Sequence, residues 1–377
     1  MKFFLFAFLV WNGSGAITRV HSFAAAKKRS AKPSAGGGGG FGTKEVVLNH
    51  DPDTSETTKK LLQFLKANNA KGLNRIEIGY DKTSGIRGLF ALEKIKKNSM
   101  ICQVPSDVAL ALSDPAKGGE EAPTVAHCGS NFLSMYWDNE QQRQNWAPYL
   151  DTLPVQGSSQ FDGTPDYFDE EELELLEFPR LIRQVKQRRD DIMTVANDKS
   201  MKFDDVQFAS WLVSSRAFSI SIASDDSQDD PKYDERGQVI TKAGDQKALR
   251  VMVPFIDIAN HSSDQPNAKL TLIDPEKDDA WFALEATRPI SPGKEVVISY
   301  GTGIESSSEL LLNYGFVPQS NKIDTFMLKK GGDECITSLD GWTTTLEEDL
   351  AMLDMAKGDP TLSKILNFRI KLKQAYE

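Results

Sequence analysis

The sequence predicts an α+β protein. Short runs of alternating apolar residues, bounded by Gly and Pro, lie towards both ends of the main body. Between them stands a block with helical periodicity, and no internal repeat argues for a solenoid.

Residues 56–69 carry Leu61, Leu62, Phe64 and Leu65 among polar residues, which predicts an amphipathic helix capped by Thr54 or Ser55. From 75 to 112 the pattern becomes that of short strands. Ile76 and Ile78 alternate with polar residues, Gly85 and Gly88 punctuate a turn, and Met100-Ile101-Cys102-Gln103-Val104 stops at Pro105. Residues 120–215 read as mainly helical. Leu181, Val185, Ile192 and Val195 recur at near-helical spacing behind Pro179, which is fitted to start a helix. Residues 203–220 are apolar nearly all round (Phe208, Trp211, Leu212, Val213), as a buried helix would be.

Residues 224–247 hold Asp225, Asp226, Asp229, Asp230, Asp234 and Glu235 with little to bury. The central Gly and closing Glu of an EF-hand are missing, so a solvated acidic loop is expected. Strands return at 249–258, 268–273, 281–286 and 295–299, with Ser291-Pro292-Gly293-Lys294 as a turn. A short helix is predicted over 306–314, then two helices within 346–376 broken at Gly358-Asp359-Pro360.

Charge divides the chain. Seven of the 44 basic residues and no Asp or Glu lie in 1–44, leaving 37 basic against 54 acidic residues beyond, a net charge of −17. Such a body does not suit a general nucleic-acid coat. Cys102, Cys128 and Cys335 form no CxxC pair, which argues against a disulfide scaffold or a four-Cys zinc site, and no metal is expected.

Lys2, the apolar run 3–11 and the small-residue ending Val20-His21-Ser22 make residues 1–22 an expected signal peptide, too short to span a bilayer. Phe23 and the acid-free stretch behind it, through the spacer Gly36 to Gly40, make 23–45 a transit-like segment and Gly-rich linker. Together they resemble a bipartite plastid presequence. A secretory signal with a basic tail is the alternative. No GK[ST] follows the glycines, so they are not read as a phosphate loop.

The chemistry concentrates in Ser84-Gly85-Ile86-Arg87-Gly88-Leu89-Phe90-Ala91, in Val253-Pro254-Phe255-Ile256-Asp257-Ile258-Ala259-Asn260-His261-Ser262, and in Glu295-Val296-Val297-Ile298-Ser299-Tyr300-Gly301 followed by Glu309-Leu310-Leu311-Leu312-Asn313-Tyr314-Gly315-Phe316-Val317. Singly these read as a hairpin turn, a buried strand-end histidine and packed aromatics. In this order, over about 56–376, they resemble the SET-domain methyltransferases, in the branch holding the Rubisco large-subunit lysine and the actin-histidine methyltransferases.

The resemblance implies a SET β-fold in two parts, 46–112 and 211–320, split by a helical insert at 113–210. A short C-terminal helical substrate-binding region at 321–377 would follow. It implies S-adenosylmethionine (AdoMet) as methyl donor, with Gly85, Ile86 and Arg87 along it, Arg216 on its carboxylate, and Asn260 and His261 on its amino-acid and adenine parts. Gly315 and Phe316 would lie near the adenine, and Asp257 would orient the Asn-His loop. Tyr300 would be catalytic and Tyr314 would line the channel for the substrate side chain.

The implied activity is that of a protein-lysine N-methyltransferase acting on a non-histone protein, as a monomer, with a plastid protein such as Rubisco as the first candidate. No nucleic acid is implied, nor a membrane for the mature form. A protein-histidine methyltransferase and a catalytically inactive binding module are the alternatives. The chain departs from the pattern in having Ser307 where relatives often have Asn, and in its short C-terminal region.

Overall fold

The computed structural model of the chain describes residues 48–113, 124–158, 163–223, 246–275, 279–301, 303–330 and 341–376, with the short strands Ala7–Phe8, Lys232–Tyr233 and Val239–Ile240. The expected cleavage site, transit-like segment and Gly-rich linker lie outside the described residues, as does most of the acidic loop. Ala7–Phe8 pairs antiparallel with Ile222 and Ser221.

Small sheets surround a common core. One has the order Asn260–His261, Glu295–Ile298, Arg87–Ala91, Ile76–Asp81, His50–Pro52. A second runs Ala268–Ile273, Trp281–Ala286, Met100–Pro105, and a third sets Phe218–Ala223 beside Gln246–Met252 and Leu110–Ala111. Alternation explains the strands: in Ile76–Asp81, Ile76 and Ile78 face the core while Glu77 between them is part-exposed.

The helices follow their expected signals. Glu56–Ala67 is capped by Ser55, whose hydroxyl accepts from the Thr58 N–H at 3.3 Å, and it buries Leu61 and Leu65. Pro179–Lys199 begins on its proline, buries Leu181, Val185, Ile192 and Val195, and ends at Ser200 in the left-handed region, φ 54°. Leu346–Met355 and Pro360–Gln374 flank the expected break.

Two expected boundaries are corrected. The buried helix Phe203–Arg216 stops before Ile220, and the chain continues as the strand Phe218–Ala223. The period there changes to two in Phe218-Ser219-Ile220-Ser221-Ile222, which suits a pleat and not a helix. The strand expected over 249–258 ends at Met252. Pro254 has no N–H to extend a ladder, Phe255 sits at φ 74°, and Ile256–Ile258 forms a 3₁₀ turn.

The apolar interior has two parts. The larger gathers the sheets with Phe132, Tyr149, Ile192 and the buried helix. The smaller joins Phe168, Leu173, Phe178, Leu181 and Val185 to Leu311, Leu312, Leu328, Ile365, Phe368 and Leu372. The helical block, the helix Ser307–Tyr314 and the C-terminal helices therefore share one core. Ser307 serves this junction: its N–H and Oγ donate to Asp324 at 2.7 and 2.6 Å, which ties on the helix Lys322–Lys330.

A buried ion network closes the C-terminal end. Asp349 takes Arg369 Nη2 at 2.8 Å and Lys373 Nζ at 2.5 Å, while Arg369 Nη1 reaches Glu177 at 2.7 Å. Asp349→Ala would leave buried Lys373 without a carboxylate and Arg369 with Glu177 alone, so a loss of about 3–5 kcal/mol in urea unfolding is expected. A change under about 1 kcal/mol would mean that the pair is solvated.

Candidate active site

The floor of the site is a parallel contact. Asn260 lies opposite Val297 and His261 opposite Ile298. The Ser262 N–H extends the contact to the Ile298 carbonyl at 2.8 Å. This pairing brings His261 beside Tyr300, whose backbone N–H donates to His261 Nδ1 at 2.9 Å. With Nδ1 accepting, the neutral ring carries its proton on Nε2 and donates to Ser263 Oγ at 2.7 Å. Burial lowers the His261 pKa from 6.5 to about 4, so the ring is neutral at physiological pH.

Tyr300 is packed among three rings. Its centroid lies 4.6 Å from Tyr314, 5.2 Å from His261 and 6.3 Å from Phe316, and Phe316 closes the group 6.2 Å from Tyr314. The Tyr300 hydroxyl donates to the Ala259 carbonyl at 3.1 Å. With its proton so placed, the oxygen offers lone pairs. Burial, with Tyr314 beside it, pushes this phenol well above its ordinary value. Burial takes Tyr314 up to about 12. Both stay protonated at neutral pH.

The helix Ser307–Tyr314 aims Tyr314. Ser306 and Glu309 form a capping box at its start, and Gly315 at φ 80° ends it and turns Phe316 back. Arg188 of the long helix donates to the Leu312 carbonyl at 2.8 Å and to Asn313 Oδ1 at 2.6 Å. Ser214 of the buried helix donates to the Asn313 carbonyl at 2.9 Å.

Beside the rings lies a polar group, buried at Asp257 and half-buried at Arg216. Arg216 Nη1 approaches Asp257 Oδ2 at 3.6 Å, and the same oxygen accepts from the Tyr149 hydroxyl at 2.7 Å. The Asp257 side chain is 1% exposed. Burial raises its pKa, opposed by Arg216 and Tyr149. Arg216 Nε and Asp257 Oδ1 are buried without a hydrogen-bond partner.

Asn260 Nδ2 donates to the Arg87 carbonyl at 2.9 Å and to Glu295 Oε1 at 2.7 Å, joining the glycine turn to this floor. Gly88 sits against both partners. A Cβ there would fall 2.4 Å from Glu295 Oε1 and 2.8 Å from Asn260 Nδ2. Gly85, at φ 70°, faces open space, and Ile86 is 57% exposed. The Arg87 side chain turns instead to Asp53 at 3.1 Å and Thr58 at 2.9 Å.

The structure thus gathers His261, Tyr300, Tyr314, Gly315 and Phe316, and sets Arg216 on Asp257. Arg87 contributes its carbonyl here. Sequence reasoning missed Tyr149 and Ser263, and gave no role to Glu295 within the segment it singled out. Glu295 had a faint signal, an acid opening an apolar strand, whereas nothing local marks Tyr149, 108 residues from its partner.

The SET-domain family model matches residues 86–301, more than half the chain, and the chain belongs to the SET-domain family. It is 24% identical over 257 residues to the chloroplastic ribulose-1,5-bisphosphate carboxylase/oxygenase large subunit N-methyltransferase of Nicotiana tabacum. That match covers 64% of this chain and 47% of the relative, so the chain spans about half of the relative's length. In fold it is similar to the crystal structure of the SET domain of LSMT bound to lysine and AdoHcy, with TM-score 0.58 and 17% identity over 86% of this chain and 90% of that one. It is also similar to Rubisco LSMT bound to AdoMet, with TM-score 0.57 and 16% identity over 85% and 90% of the two chains. The expected family and the α+β SET fold both hold.

Because His261 is neutral when folded and basic when unfolded, protonation favours unfolding. Its contribution is full above about pH 6.5 and is lost as the pH falls to about 4. Melting curves over that window should slope more steeply for the native chain than for His261→Gln. Parallel slopes would contradict the neutral, doubly bonded ring.

Proposed function

We propose that the chain transfers a methyl group from AdoMet to the side-chain amine of a lysine in a non-histone protein. The observation that carries this reading is the aromatic group of Tyr300, Tyr314 and Phe316 beside the half-buried Arg216 and the buried Asp257. The solved SET domains it resembles hold lysine with AdoHcy, or AdoMet, which supports the same reading.

The residues present suit the donor. Its amino-acid end carries a carboxylate and an ammonium. The partnerless Arg216 Nε is a donor for the first, and Asp257 Oδ1 an acceptor for the second. The open space at Gly85 lets backbone lie along a ligand, with Asn260, His261, Gly315 and Phe316 as further walls. When bound, AdoMet supplies an electrophilic methyl on a sulfonium, and no metal is needed.

The chain's own work is alignment. The rings enclose a narrow methylene stem and attract an ammonium head. Desolvation among them favours the neutral amine. The Tyr300 oxygen, its proton held by Ala259, presents lone pairs towards the reacting groups.

Tyr314 favours lysine over histidine, since its ring fills the space that an imidazole would need. The helices beyond 321 are proposed to hold the substrate protein. The presequence pattern and the chloroplastic relative support a plastid location, with Rubisco as the first substrate to test.

Tyr300→Phe should lower kcat about a hundredfold while AdoMet affinity, read by calorimetry, stays nearly unchanged. Collapse of that affinity would make Tyr300 a cofactor or structural residue.

Labelled AdoMet incubated with the protein and plastid extract should place label on a lysine, located by mass spectrometry. Label on a histidine would overturn the acceptor, and no transfer to any extract would favour the inactive binding module. Unaltered lysine activity in Tyr314→Ala would remove the channel argument.

A further inference from the structure

We infer that Tyr149, on the helical block, is a positioning residue that keeps Arg216 available to the carboxylate of the methyl donor, an inference that rests on the AdoMet reading above. Tyr149 belongs to the helix Ala147–Leu150, is 1% exposed, and packs in the larger core. Its hydroxyl donates to Asp257 Oδ2 at 2.7 Å, and Arg216 Nη1 stands off the same oxygen at 3.6 Å.

That stand-off is the informative feature. A guanidinium free to settle on a buried carboxylate forms a fork of two short bonds, N to O at about 2.8 Å. Here Tyr149 already donates to Oδ2, the oxygen that Arg216 Nη1 faces, and Arg216 stands off it while Oδ1 is left open. The consequence is visible on both partners: Arg216 Nε and Asp257 Oδ1 are buried and have no hydrogen-bond partner. Two complementary groups left open side by side are unfavourable unless a ligand completes them. A zwitterionic amino-acid end, carboxylate on one side and ammonium on the other, has the chemistry to complete both.

Tyr149 can hold this arrangement at any working pH. Burial and the Asp257 charge push its phenol well above its ordinary value, so it remains a donor. Its ring is fixed by the core, and the Thr152 hydroxyl bonds its carbonyl at 2.7 Å. The helical block thereby reaches into the proposed donor site through one hydrogen bond. With the hydroxyl gone, Arg216 would close on Asp257 and its charge would be spent inside the protein.

The test is calorimetry on the full chain with two ligands. S-adenosylhomocysteine carries the amino-acid end, and 5′-methylthioadenosine lacks it. Tyr149→Phe should weaken S-adenosylhomocysteine about tenfold and leave 5′-methylthioadenosine within about twofold. In an Arg216→Ala background the same substitution should add almost nothing, because it acts through Arg216.

Unchanged S-adenosylhomocysteine affinity would overturn the inference. So would an equal loss for both ligands, or loss of 5′-methylthioadenosine binding, either of which would make Tyr149 a structural residue. Full additivity with Arg216→Ala would also overturn it. If the native chain binds neither ligand, the AdoMet reading fails and takes this inference with it. If it binds S-adenosylhomocysteine and the variant does not differ, the inference fails alone.

Discussion

The site depends on one short parallel contact, Asn260–His261 against the end of Glu295–Ile298. Parallel strands cannot be joined by a tight turn, so residues 262–294 must leave and return. They do so as the antiparallel pair Ala268–Ile273 and Trp281–Ala286. A contact of two residues is a weak ladder, and Asn267 reinforces it. Its side chain accepts from the Val297 N–H at 2.9 Å and donates to the Glu295 carbonyl at 2.8 Å, while its own N–H bonds the Val297 carbonyl at 3.0 Å. Only with this edge in register does the Tyr300 N–H meet His261 Nδ1, and the ring stack follows.

The second requirement is that Tyr314 arrive from another direction. Its helix packs Leu311 and Leu312 into the smaller core, together with the helical block and the C-terminal helices. Arg188 fixes the last turn from that block, and Ser214 fixes it from the buried helix. The two tyrosines thus belong to different packing units, and their 4.6 Å contact is where those units meet. The Asp349–Arg369–Lys373 network, with Glu177 of the block, braces the same junction from the far side.

Local patterns made much of this legible. The four residues Leu181, Val185, Ile192 and Val195 marked a helix that buries all of them, and the short helix expected over 306–314 stands at 307–314 behind a capping box of Ser306 and Glu309. What escaped was non-local or a competition between neighbours. The apolar run 203–220 looked continuous, yet the period changes after Arg216. Pro254 and the positive φ of Phe255 cut a strand that composition alone extended. The Tyr149–Asp257 bond and the Asp349 network join residues far apart in sequence, and no local pattern encodes such pairs. The family motif supplied Arg216 and Asp257 but not the distance between them, which is what leaves Arg216 Nε open.

The hydrogen-bond pattern also bears on how a lysine would lose its proton in the proposed reaction. A general base needs a free lone pair and a pKa near the working pH. His261 is neutral, but Nδ1 takes the Tyr300 N–H and Nε2 bonds Ser263, and burial has lowered its pKa to about 4. Tyr300 and Tyr314 are phenols pushed upward by burial, so neither is a phenolate at neutral pH. Glu295 is held by Asn260, on the floor side of the site. None of His261, Tyr300 and Tyr314 is set up to take a proton, while burial raises the pKa of the Glu295 and Asp257 carboxyls. The enclosure instead disfavours a charged amine by desolvation, so the ammonium would give its proton to water as it enters. In the proposed reaction the rings would then select the protonation state of the substrate as well as its width, and Tyr300 would be left to orient an amine already neutral.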